Sequence, residues 1–115
     1  MKDGRDGIWI IDSDASTLYA NAAMAEILGE DAAQLTGKPS FDYLFPEDVE
    51  SAQQLFDSKQ RGNMTSFRFR LRRKDGSAIW VDVQGTPMHN VAGEFLGIVG
   101  TFRVADKQAQ KDAAA

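Results

Sequence analysis

The chain has 115 residues, 43% of them hydrophobic, with a net charge of −4 and a pI of about 4.9: enough for one domain with a real core. An acidic balance argues against a surface built to hold nucleic acid or anionic lipid, and the absence of cysteine excludes disulfides, thiolate metal sites and cysteine-linked flavins or chromophores together. No apolar run is long enough to span a bilayer and the opening residues lack a signal peptide's hydrophobic stretch, so a cytoplasmic domain is expected, which leaves room for a membrane anchor elsewhere in a parent protein.

Gly7 to Asp12 (GIWIID) is a short β-rich run broken by the turn-forming SDAS of Ser13 to Ser16, after which TLYAN resumes; this predicts a first hairpin. Asn21 suits the cap of the following helix, whose apolar face is Met24, Ile27 and Leu28 and whose end is Gly29. Asp31 and Gln34 have capping-box spacing for a single turn that stops at Gly37 and Pro39, and Ser40 is expected to cap another. The longest helix is predicted from Pro46 to Arg61. Proline costs nothing in its first turn, Glu47 and Asp48 favour the positive end of the dipole, Lys59 and Arg61 favour the other, and Val49, Ala52, Leu55 and Phe56 form its buried stripe. Three strands are predicted to close the chain, at Thr65 to Arg73, Ala78 to Pro87 and Phe95 to Val104, with a turn over Asn90 to Gly93. The expected domain is 7–104, with 1–6 a flank. Residues 105–115 are polar and alanine-rich without an apolar stripe, and read as the start of a linker to an output domain outside this chain.

The stretch Phe67 to Gly85 (FRFRLRRKDGSAIWVDVQG) fixes its own register. A loop of Asp75-Gly76 alone would set Arg70 against Val81 and Phe69 against Asp82, mixing charge with aliphatics on each face. An odd loop, Lys74-Asp75-Gly76 with Gly76 at positive φ, instead pairs Leu71 with Ile79, Phe69 with Val81 and Phe67 with Val83 on one face. Arg72, Arg70 and Arg68 then meet Ala78, Trp80 and Asp82 on the other. Two strands, a block of short helices and three strands pack most naturally as an α+β fold: a five-stranded antiparallel sheet with the helices gathered on one face.

In order and spacing these segments resemble the PAS sensory domain family over roughly Asp6 to Val104. The matching stretches are YAN at Tyr19 to Asn21, LTGKP between the short helices, LFPEDVES at the start of the long one, RRKDGSAIWVDV in the third and fourth strands and GEFLGIVGTFR in the fifth. The resemblance implies a sheet order of 2-1-5-4-3 and, in members that bind a ligand, a pocket between sheet and helices. Two positions depart from the family pattern: Val104-Ala105-Asp106 stands where the fifth strand commonly ends in Asp-Ile-Thr and couples to a signalling helix, and Ser16 stands where glycine is common.

The chemistry-bearing residues narrow the function. Haem-binding relatives use a histidine on the long helix, and the single histidine, His89, lies beside the last turn, so haem is not expected. No nucleophile with a base, no phosphate loop and no metal-ligand spacing is present, and no catalytic or metal-binding residue is assigned. A non-enzymatic module is expected, sensing a small ligand, mediating dimerisation or both, within a multidomain signalling protein such as a sensor histidine kinase or a cyclic-nucleotide enzyme. The alternative is a pure assembly module with a filled core. Candidate pocket residues are Trp9, Ile11, Met24, Leu28, Tyr43 and Val49, with Leu55, Phe56 and Ile98, and Phe67, Phe69, Val81 and Val83 from the hairpin. Trp9 and Tyr43 are expected to orient a small apolar or aromatic ligand. The arginine face is not a nucleic-acid platform, because alternation puts Phe67 and Phe69 on the opposite side from Arg68 and Arg70. Trp80, with Arg68, Arg70, Asp82 and Gln84, is instead the candidate contact for a second copy or for flanking helices of the parent protein.

Overall fold

The computed structural model describes residues 6–60 and 65–105. Its strands are β1 (Gly7–Asp12), β2 (Thr17–Ala20), β3 (Thr65–Arg72), β4 (Ala78–His89) and β5 (Phe95–Val104). Between β2 and β3 come α1 (Ala22–Leu28), α2 (Ala32–Leu35), two 3-10 turns (Ser40–Tyr43 and Pro46–Asp48) and α3 (Val49–Gln60). The five strands form one antiparallel sheet in the order β2-β1-β5-β4-β3, as the resemblance implied.

One side chain joins the first hairpin to the first helix. Asn21 Oδ1 accepts from Met24 N and Ile8 N, both at 2.9 Å, while its amide donates to the Asp6 carbonyl at 3.1 Å. The cap thereby fixes where α1 leaves the sheet, and Gly29 at φ 70° ends it. The hairpin of β3 and β4 has the odd-loop register throughout, from Thr65 opposite Gly85 to Arg72 opposite Ala78. Arg73 N donates to Ser77 O at 2.8 Å and Gly76 has φ 91°. Asp75 accepts from both the backbone and the hydroxyl of Ser77, and that hydroxyl above all holds the carboxyl below its ordinary pKa.

The core lies between the helices and the inner face of the sheet, with Met24, Leu28, Leu35 and Val81 fully buried. Each such side chain contributes on the order of 1.5–3 kcal/mol. Several boundaries differ from expectation. The predicted helix from Pro46 begins as a 3-10 turn and becomes α-helical only at Val49; Arg61 and Gly62, expected at its end, lie outside the described residues. Val49, expected in the buried stripe, is 37% exposed. A side chain in the first turn of a helix leans back over the segment before it, and of the expected stripe it is Ala52, Leu55 and Phe56 that reach the cavity. Ser40 caps nothing: its hydroxyl donates to the Ala15 carbonyl at 2.8 Å. β3 stops one residue short of Arg73, and β4 runs two beyond Pro87 to His89.

Candidate ligand cavity and outer sheet face

Between α3 and the sheet is a cavity of about 130 Å³. Its floor is made by absence: Gly85 and Gly100 stand opposite one another on β4 and β5, and Trp9 of β1 is the next partner of Gly100. Glycine inside a strand marks a place where something else approaches the backbone. β3 supplies Phe67, Phe69 and Leu71 to the wall, α3 supplies Ala52, Leu55 and Phe56, and the first 3-10 turn with the residue after it supplies Phe41 and Leu44. Ile11, Val83, Ile98 and Phe102 close the rest.

The wall has almost no polar character. Trp9 Nε1 donates to the buried Thr17 Oγ1 at 2.9 Å, and Ser40 is engaged with Ala15. Tyr43 packs edge-on to Trp9 with ring centroids 5.9 Å apart but does not line the cavity, and its hydroxyl donates to Glu30 Oε2 at 3.2 Å. Burial first, and then the neighbouring charge of Glu30, pushes that hydroxyl's pKa up to about 12. The Glu30 side chain is 4% exposed and also meets Lys74 Nζ at 3.1 Å and Lys38 Nζ at 3.7 Å, and the hydrogen bond from Lys74 lowers its pKa most. The two expected polar handles, Trp9 and Tyr43, are therefore both engaged within the fold.

Of the pocket residues expected from sequence, the structure brings Trp9, Ile11, Leu55, Phe56, Phe67, Phe69, Val83 and Ile98 to the cavity. Met24, Leu28 and Val81 are fully buried in the core beside it, and Val49 is on the surface. Ser40, Phe41, Leu44, Ala52, Leu71, Phe102 and the two floor glycines were missed. The interior-strand glycines of VQGTP and IVGTF were the available signal.

The outer face of the sheet divides its arginines. Arg68 stays on that face and binds Asp82 through two contacts, at 2.7 and 3.3 Å. Arg70, of the same parity, turns around the edge instead: it meets Asp48 at 2.9 Å and Glu47 at 3.2 Å, and stacks 4.4 Å from the centre of the Phe45 ring. Arg72 likewise donates to the carbonyls of Asp42 and Leu44. Because β3 is the edge of the sheet, long side chains can fold past it and clasp the 3-10 segment that walls the cavity. Trp80 is half-buried, its carbonyl accepting from Ala105 N at 3.0 Å, and Gln84 is exposed. Toward β1 and β2 the same face carries the half-buried Ile8, Ile10 and Val99 and the half-exposed Tyr19. Among the described residues no cluster of three or more His, Asp or Glu is placed to hold a metal, and no helix is long and apolar enough to cross a membrane.

The model of the PAS fold matches residues 3–105. The chain belongs to the PAS-fold family. PAS domains are typically sensory modules, and the five-stranded sheet with its helical cover is their fold. The chain is 32% identical over 73 residues to the aryl hydrocarbon receptor nuclear translocator homolog of Drosophila melanogaster, which covers 62% of this chain and 11% of that protein. It is 30% identical over 97 residues to the uncharacterized protein y4lL of Sinorhizobium fredii, which covers 81% of this chain and again 11% of the relative. The PAS domain of a Colwellia psychrerythraea protein superposes with a TM-score of 0.79 at 21% identity, covering 89% of this chain and 87% of that one. A domain ascribed to a light and redox sensing histidine kinase of Haloarcula marismortui superposes with a TM-score of 0.76 at 26% identity, covering 91% and 93%.

Proposed function

We propose that this PAS domain senses a small, uncharged, apolar molecule, about one aromatic ring in size, held in the cavity over Gly85 and Gly100. The cavity itself carries this reading: about 130 Å³, walled by aromatic and aliphatic side chains, with Trp9 and Ser40 already hydrogen-bonded elsewhere. An apolar cavity of roughly 150 Å³ is large enough to take up a molecule such as benzene. A charged or strongly polar ligand would find no partner there and would lose its hydration. The domain then reports to an output module in a multidomain signalling protein, with 7–104 as the sensory unit, 105–115 as the start of a linker and a cytoplasmic location. Support for that context comes from the kinship with a domain ascribed to a histidine kinase and from the 11% share of the relatives that the chain spans.

A second reading concerns the outer face. The polar surface around Arg68, Asp82 and Gln84, flanked by Trp80 at one end and by Ile10, Val99 and Tyr19 at the other, supports association with a second copy. Native mass spectrometry and absorbance of the purified protein test the first reading. A reproducible adduct of low mass supports sensing, and its absence from protein prepared in several hosts, together with no uptake of added benzene, favours a pure assembly module.

A further inference from the structure

Four charged residues form one rank across the outer face: Arg68 on β3, Asp82 on β4, Arg103 on β5, and Asp6 immediately before β1. The strand registers set Arg68 opposite Asp82 and Asp82 opposite Arg103. Gly7 stands opposite Phe102, which brings Asp6 beside Arg103, and Arg103 donates to the Asp6 carboxylate at 3.2 Å. The signs therefore alternate, positive, negative, positive, negative. These side chains are between 37% and 73% exposed, so their pairing within the chain leaves them open to a further partner.

An alternating rank with an even number of members has a property that a uniform row or an odd row lacks. Turned end for end and laid on itself, it meets the opposite sign at every position. We propose that a second copy of this chain docks here about a two-fold axis lying between the stacked sheets and running along β4 and β5. Arg68 then meets Asp6 of the partner subunit and Asp82 meets Arg103 of the partner subunit, each contact occurring twice by symmetry. This rests on the reading of the outer face as an association surface. Exposed charges add little affinity one by one, but they set register and reject misaligned copies. Gln84 would face Thr101 of the partner subunit, one rank along.

The test is sedimentation equilibrium of the full chain over a concentration series, with wild type, Asp82→Arg, Arg103→Asp and the double reversal, each checked for folding by thermal melting. The wild type is expected to dimerise reversibly, and each single reversal, which sets like charges face to face twice, is expected to weaken the dimer about tenfold or more. The double reversal discriminates. Within one chain it makes Arg68 and residue 82 both positive and residue 103 and Asp6 both negative, whereas across the axis every contact is again of opposite sign. Recovery of the dimer in the double variant therefore supports the ladder, because within one chain that variant breaks both ion pairs, Arg68–Asp82 and Arg103–Asp6, where each single reversal breaks one. A wild type that stays monomeric to roughly 1 mM overturns the association reading itself. A dimer that the single reversals leave unchanged, or that the double fails to restore, overturns the ladder alone. Asp82→Lys with Arg103→Glu supplies a second set if one of the first does not fold.

Discussion

Gly85 and Gly100 face each other across β4 and β5, and the cavity beneath α3 has its floor because neither carries a side chain. Gly97, three residues earlier on the same strand, is a glycine for a different reason. It has φ 149°, and a Cβ there would overlap the Ile11 carbonyl oxygen of the neighbouring backbone. A Cβ on Gly100 would press at 2.7 Å on the edge of the Phe102 ring, the far end of a side chain that can turn, and would meet backbone only at ordinary contact distance, 3.5 Å from the Trp9 carbonyl oxygen.

The two glycines should therefore respond differently to the same change. Gly97→Ala is expected to cost about 2 to 3 kcal/mol through backbone strain and displacement of β1, and Gly100→Ala about 1 kcal/mol or less. Urea unfolding of the two variants measures this, and equal costs would contradict the distinction.

Trp9 depends on a partner across the first hairpin. Thr17→Val keeps the shape of the buried side chain but removes the acceptor of the indole N–H, so it is expected to cost about 1–3 kcal/mol. Adding Trp9→Phe to that background should cost less than it does in wild type, since the ring then loses no hydrogen bond. Additive costs in a double-mutant cycle would show that the bond carries no coupling.

Two titrations bound the stability range. The Glu30 carboxyl is held below its ordinary value of 4.5, first by Lys74, so its contribution is present above that value and is lost as pH falls through the lowered one. The Tyr43 hydroxyl, pushed from 10.0 to about 12 by burial and then by the charge of Glu30, favours the folded state below pH 10 and loses that contribution as pH rises toward 12. Unfolding midpoints measured against pH should show Glu30→Gln flattening the acid limb and Tyr43→Phe flattening the alkaline one. Limbs that both variants leave unchanged would refute the assignment.

What was legible in the sequence was what depends on near neighbours. The alternation of Phe67, Phe69 and Leu71 with Arg68, Arg70 and Arg72 set the register of a whole hairpin because period two is local. Asn21 announced its helix because a cap acts within one turn. What stayed hidden depends on which strands become neighbours. Gly85 and Gly100 are fifteen residues apart in number and meet only once β4 pairs with β5, so neither could be assigned to a cavity floor. Arg70 and Arg72 leave the face that parity gives them because β3 has no outer neighbour. Thr17 and Glu30, which occupy the polar ends of Trp9 and Tyr43, carry no pattern that marks them as partners.

Titration with benzene followed by NMR decides whether the cavity over Gly85 and Gly100 is a site for a small apolar molecule. The expected result is a saturable set of shifts confined to the amides of Gly85 and Gly100 and the methyl groups of Leu44, Leu55 and Ile98, which line the cavity. Those shifts should vanish in a folded Gly100→Leu variant, whose side chain occupies the space. No saturable shift in the folded wild type, or the same shifts persisting in Gly100→Leu, would contradict it.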